Sequence, residues 1–284
     1  MRRPGIAPAP EGSALRFLYG TCAGRMVLKL AASRPVSRLA GGFMDSPLSR
    51  PLIGPFIRKN GIAMGDYLPL PFACFNDFFC RPIRQALRPV PEEASVLMAP
   101  CDGLLSVYPI TDGLVLPIKQ SLYSVAELLG EDGEANRFRD GICLVFRLCV
   151  NHYHRYAYLD EGTLRKKRFL PGELHTVRPI ALAALPVFTR NCREYTLMET
   201  EHFGPVAQVE VGAMLVGKIR NHKGPGMTFR RGEEKGRFLY GGSTVVLLLE
   251  KGRAALDEDL FENTARGLET PVQLGEALGF APGI

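Results

Sequence analysis

Ser243 is the residue in this sequence best placed to do chemistry on its own backbone. It follows two adjacent glycines, Gly241 and Gly242, and it leads into the apolar run 245–249. Glycines reach conformations closed to residues with a Cβ, including those that return the Ser243 hydroxyl onto the carbonyl of Gly242. A Val-rich run of this length reads as a buried strand, so Ser243 is anchored on one side and bendable on the other. That geometry suits a backbone rearrangement, whereas the plainer reading of Gly-Gly-Ser-Thr is a turn into a strand. A second group of reactive types lies at His152, His154 and Arg155, at the exit of a strand predicted over residues 143–150. A lone histidine in a strand is more often a satisfied core residue than a catalyst. Two histidines and an arginine within four residues fit that reading poorly.

These residues need a scaffold, and from residue 97 onward the chain alternates short apolar runs with Gly and Pro. Leu104, Leu105, Val107 and Tyr108, then Leu114, Val115, Leu116 and Ile118, read as strands. Asp102-Gly103 reads as the turn before the first of them. A short helix is expected within residues 121–137, with Val125, Leu128 and Leu129 apolar and Gly130 and Gly133 ending it. In the stretch 209–219, Gly212, Ala213 and Gly217 mark close backbone approach. Residues 15–33 read as one helix with an apolar stripe of Leu15, Leu18, Tyr19, Cys22, Met26 and Leu30, ended by Pro35. The expected fold is α+β and mainly β: a compact β-rich catalytic domain over 61–284, preceded by a basic, amphipathic helical region over 1–60.

Charge is concentrated at one end. The chain carries a formal net charge of +6, but residues 1–60 hold ten Lys/Arg against two Asp/Glu, so the remainder is slightly acidic. Such a segment faces either nucleic acid or a phospholipid surface, and no nucleic-acid-binding motif accompanies it. An amphipathic basic segment lies in a headgroup layer, or else packs as a helical cap with its charges solvated. The longest stretch without a charge, 238–249, has 12 residues, whereas about 20 are needed to span a bilayer. No secretory signal is read at the start. The seven cysteines are scattered without a Cys-x-x-Cys pair, which argues against a disulfide framework or a metal site and for a reducing, cytoplasmic setting. A nucleophile elbow, Gly-x-Ser-x-Gly, fails at Val245, which argues against a serine hydrolase.

Several segments together resemble the phosphatidylserine decarboxylase family. They are Phe75-Asn76-Asp77-Phe78-Phe79-Cys80-Arg81 with Arg88-Pro89, Pro100-Cys101-Asp102-Gly103, Tyr153-His154-Arg155, the segment around His175, Phe188 to Glu194, Val211-Gly212-Ala213, and Gly236-Arg237-Phe238 with Gly242-Ser243-Thr244. The resemblance implies that the chain is cut between Gly242 and Ser243, and that Ser243 becomes a pyruvoyl group. That ketone takes up the substrate amine and accepts the electron pair released as carbon dioxide leaves. The implied reaction turns phosphatidylserine into phosphatidylethanolamine. It further implies that Asp102 is the carboxylate of a charge relay and that His154 lies near the pyruvoyl group as proton carrier. The family pattern Tyr-His-Arg-x-His places a second histidine, the relay base, where this sequence has Ala157; His154, His152 and His175 are the candidates to replace it. The implied partners are phosphatidylserine, an anionic membrane surface, and the large and small chains of one precursor, with no nucleic acid. The implied location is peripheral, on the cytoplasmic face of the cell membrane. The alternative is a non-catalytic, unprocessed phospholipid-binding relative.

Overall fold

The computed structural model describes residues 3–8, 12–31, 34–111, 114–118, 121–213, 218–240 and 243–283. Gly241, Gly242, Gly217 and the break before Arg34 lie outside the described residues. The helical part comprises α1 (Ser13–Gly20), α2 (Cys22–Ala31), α3 (Arg34–Met44), α4 (Ile53–Asn60) and the one-turn α5 (Phe75–Phe79). The strands that follow are β1 (Val96–Met98), β2 (Gly103–Thr111), β3 (Leu114–Ile118) and β4 (Ser121–Ser124), then a short α6 (Val125–Leu128). Next come β5 (Ile142–Leu148), β6 (Arg155–Ala157), β7 (Gly162–Leu170), α7 (Pro179–Ala184), α8 (Val187–Arg190), β8 (Arg193–Thr200) and β9 (Gly204–Val211). The chain ends through β10 (Ile219–Asn221), β11 (Thr228–Phe229), β12 (Glu234–Phe238), β13 (Ser243–Leu249), β14 (Ala255–Leu256), α9 (Glu258–Ala265), β15 (Thr270–Val272) and β16 (Ala277–Phe280).

The strand headed by Ser243 lies inside the largest sheet, whose order is β11-β7-β8-β9-β13-β5-β2-β3-β4. A strand apolar on both faces needs cover on both, and β13 has it. Val246 and Leu248 join one hydrophobic cluster, whereas Val245, Leu247 and Leu249 join another. Each such side chain contributes about 1.5–3 kcal/mol by leaving water. The second cluster is roofed by a small antiparallel sheet of order β10-β12-β6. Gly236 lets β12 fit there, because a Cβ at that position would stand 2.3 Å from the Arg220 carbonyl and 2.8 Å from the Tyr156 hydroxyl.

The helix expected over residues 15–33 is broken at Thr21, which is extended (φ −120°, ψ 154°). The Thr21 hydroxyl donates to the Phe17 carbonyl and accepts the Gly24 N–H, both at 2.9 Å, so it terminates one helix and caps the next. The break shifts the helical phase and overturns part of the expected stripe. Tyr19 stays in the core, Met26 is 77% exposed, and Leu28 is buried in its stead. Pro35, expected to end the helix, is the second residue of α3, and the stretch 32–33 before it lies outside the described residues. The basic arm is also partly committed elsewhere: Arg3 binds Asp257, Asp259 and Glu276 at 2.8–3.0 Å, and Ile6 bridges to Glu269 ahead of β15.

Candidate active site

Register brings three chain segments to one end of the large sheet. Ser243 on β13 pairs with Leu148 on β5, and Arg147 beside it pairs with both Thr244 and Leu104. Ser243, Leu148 and Gly103 therefore form one row across β13, β5 and β2. Asp102 directly precedes that row on β2, and the loop carrying His152 and His154 leaves it from the end of β5. Side chains alternate across a sheet, so Ser243 shares a face with Val245 and points toward the small β6–β12–β10 roof.

Ser243 is fully buried, and its Oγ has no hydrogen-bond partner among the described residues; the Thr244 Oγ1 is in the same condition. An unpaired buried hydroxyl costs roughly 1–3 kcal/mol. Such a group at the head of a core strand is a local conflict between burial and polarity, shared among the described residues with Tyr156 and Tyr158 under the roof.

His154 is also fully buried, and burial depresses its pKa to about 3, so its ring is neutral at neutral pH. Its Nδ1 faces the His152 carbonyl at 2.9 Å. A carbonyl only accepts, so Nδ1 carries the proton and Nε2 presents a lone pair. That Nε2 has no hydrogen-bond partner among the described residues. The ring lies against Phe79 with centroids 4.0 Å apart, and the His154 carbonyl accepts the Phe238 N–H at 3.0 Å, five residues before Ser243. One backbone hydrogen bond thus ties the loop carrying the buried neutral base to the segment that leads to the buried hydroxyl, each without a side-chain partner among the described residues.

The Phe-Asn-x-Phe-Phe segment forms α5, which packs against the residues that lead toward Ser243. The Asn76 Oδ1 accepts the Tyr240 N–H at 2.8 Å, while its Nδ2 donates to Asp45 at 2.7 Å. The Tyr240 ring packs on Phe75 at 4.8 Å and on Phe79 at 5.3 Å. Cys80 donates its thiol to the Phe238 carbonyl at 3.2 Å. The roles of Asn76, Phe79 and Cys80 cannot be read from residue type alone, because each depends on contact with a strand about 160 residues away.

The other expected site residues are placed differently. The Asp102 carboxylate is clamped by Arg88 at 2.6 and 2.7 Å and accepts the Leu274 N–H at 2.9 Å. It makes no hydrogen bond to a histidine. Ala157 lies nearby, its N–H donating to the Pro100 carbonyl, and it lines a cleft of about 160 Å³ together with Arg88. Arg88 therefore occupies the carboxylate beside the position without an imidazole. The His152 Nδ1 accepts the Cys149 N–H at 3.1 Å, and burial lowers its pKa although Asp102 opposes the shift. His175 stands apart, on the side of Tyr19 and Leu28: Glu173 lies at 2.6 Å from its Nε2 and the Tyr19 hydroxyl at 3.4 Å from its Nδ1.

The sequence profile of the family described as phosphatidylserine decarboxylase matches residues 75–280, from α5 to the last strand. The chain belongs to the phosphatidylserine decarboxylase family. It is 43% identical over 266 residues to phosphatidylserine decarboxylase proenzyme 2 of Clostridium acetobutylicum, with 93% of this chain and 91% of that protein covered. It is 38% identical over 279 residues to a phosphatidylserine decarboxylase proenzyme of Ruminiclostridium cellulolyticum, covering 96% and 93%. A proenzyme of the same name from Clostridium kluyveri is 37% identical over 270 residues, covering 93% and 91%.

Proposed function

We propose that this chain is a self-processing decarboxylase that converts phosphatidylserine to phosphatidylethanolamine, with a pyruvoyl group made from Ser243. The observation that carries the reading is the unpaired, fully buried Ser243 Oγ at the head of β13, in a chain of this family. In the cutting reaction the His154 Nε2 takes the hydroxyl proton, directly or through a water, and the oxygen attacks the Gly242 carbonyl carbon. The peptide bond becomes an ester, and His154 returns its proton to the freed nitrogen. Removal of the residue-243 Cα proton then expels the carboxylate of Gly242. The enamine left behind takes up water and loses ammonia. Intramolecular attack needs little more than a correct approach, which the Asn76–Tyr240 hydrogen bond and the Phe238–His154 hydrogen bond supply.

The site fits a pyruvoyl group because residue 243 heads a strand fixed on both sides and its side chain is fully buried, with no competing hydrogen-bond partner among the described residues. When present, that group serves as the electron sink for loss of carbon dioxide. His154, neutral and buried, is positioned to carry a proton to the product carbon. The Asp102–Arg88 pair holds the start of β2 against residue 274 and acts through position, with His152 within its field.

For the membrane, α1 to α4 and their connections expose Phe17, Met26, Val27, Leu39, Phe43, Leu48 and Leu52 among Arg16, Arg25, Lys29, Arg50 and Arg58. This composition supports peripheral attachment to an anionic surface on the cytoplasmic side of the cell membrane, each cation near the surface contributing about 1 kcal/mol. Among the described residues no helix is long and apolar enough to cross a membrane.

Intact mass under denaturing conditions tests the central step. The expected result is a chain ending at Gly242 and a 42-residue chain beginning with pyruvoyl in place of Ser243. A single uncut 31.3 kDa chain that still binds phosphatidylserine vesicles would replace this reading with that of a phospholipid-binding relative.

A further inference from the structure

The outer face of the β6–β12–β10 roof carries three arginines in one row. Arg237 on β12 is directly opposite Arg155 on β6 and directly opposite Arg220 on β10. Like charges at facing positions of antiparallel strands repel and destabilise the sheet unless something neutralises them. Among the described residues one of the three forms an ion pair. Arg155 donates to Glu234 at 2.8 Å and to the Cys80 carbonyl at 2.8 Å. Among the described residues Arg220 and Arg237 form no ion pair, and the Nε of Arg237 is buried without a hydrogen-bond partner.

The row lines a cleft of about 330 Å³ closed on one side by α5 and at its rim by Leu70 and Leu239. Acids of the cleft are already engaged. Asp45 is held by Lys218 at 2.6 Å and by Asn76 at 2.7 Å, and Asp77 accepts the Ala73 N–H at 3.2 Å. The Arg237 Nε thus remains without a partner among the described residues, two residues from Leu239 and six from Ser243, while Arg220 makes no ion pair and acts on Asp45 only through its field, beside Leu70, which is half exposed.

We propose that this arginine row is the anion site that holds the phosphodiester of the lipid substrate, with Arg220 and Arg237 as its donors. Guanidinium groups present planar pairs of N–H donors that match phosphate oxygens. A phosphodiester seated there leaves the acyl chains beside exposed Leu70 and Leu68, with the serine headgroup turned past Leu239 and Tyr240 toward the reacting residue. The assignment rests on the proposed lipid reaction and adds what distinguishes a phospholipid from free serine.

The test uses two forms of the full chain. Uncut Ser243→Ala protein is titrated by calorimetry with glycerophosphoserine, which keeps the phosphodiester without acyl chains, and with inorganic phosphate. Self-processed protein is assayed with short-chain phosphatidylserine. Arg220→Gln is expected to weaken glycerophosphoserine binding and to raise KM by about tenfold, leaving kcat and the extent of cutting unchanged, with Arg220→Lys partly restoring KM. Arg237→Gln is expected to weaken binding by at least as much. Unchanged binding and KM in both glutamine variants would overturn the proposal, as would Arg220-dependent binding of inorganic phosphate with no change in KM for the lipid. If processed protein fails to decarboxylate phosphatidylserine while glycerophosphoserine binding still depends on Arg220, the reaction assignment falls and the anion site stands.

Discussion

Two histidine loops, one entering β6 and one following β7, offer the same functional group in opposite conditions. His175 has both ring nitrogens occupied, by Glu173 and by the Tyr19 hydroxyl. His154 has one nitrogen on a backbone carbonyl and the other buried and unpaired. Satisfied polar groups stabilise a fold, and unsatisfied buried ones persist where something other than stability retains them. That difference fits the proposed roles, a proton carrier in the loop entering β6 and a scaffold imidazole in the loop after β7.

The comparison can be broken outright at its common target. Ser243→Ala is expected to give a single uncut chain on denaturing mass analysis and no decarboxylation. Next in size, His154→Ala should slow cutting by about a hundredfold or more. His175→Ala should change the cutting rate by less than about tenfold while lowering the melting temperature, because Glu173 and Tyr19 lose a partner. Equal effects of the two on cutting would erase the distinction drawn above.

Acid sharpens the contrast. The folded-state pKa of His154 is depressed to about 3 from an ordinary 6.5, so the unfolded chain binds its proton first as pH falls. Stability from this residue is therefore complete above about pH 6.5 and is lost progressively toward pH 3. Denaturation curves of uncut Ser243→Ala protein should show this slope, and adding His154→Phe, which cannot titrate, should flatten it. A smaller effect is expected at Asn76→Ala, which frees the Tyr240 N–H: cutting should slow by about tenfold in a time course of the fresh precursor. Smallest of all, Ala157→His should alter that rate by less than about threefold, because Arg88 already holds Asp102. A larger acceleration would show that Asp102 exchanges its guanidinium for an imidazole.

Much of this arrangement is legible in the sequence where it depends on local pattern. The apolar run after Ser243 is β13, the run at 143–150 is β5, and both strands expected within 104–118 are present. Local pattern failed at Thr21, where a hydroxyl with partners on both sides outweighed a continuous helical period. It also could not show the engagement of Asp102, since a side chain 14 residues away decides whether that carboxylate faces a histidine or an arginine. The opposed arginines are invisible for the same reason: positions 155, 220 and 237 become neighbours only through strand register.

The central place of β13 bears on what happens after the proposed cut. Its seven paired residues with β5 and six with β9 would then join two separate polypeptides, as would β15 on β2 and β16 on β1. A precursor folds as a unimolecular event, its pieces tethered by the very bond later broken. Once cut and unfolded, the 42-residue fragment would have to find its slot by diffusion, with a pyruvoyl end that cannot be religated. Mature protein would therefore be a one-way assembly, whose lifetime is set by how slowly its spine is pulled out and not by any equilibrium with its parts.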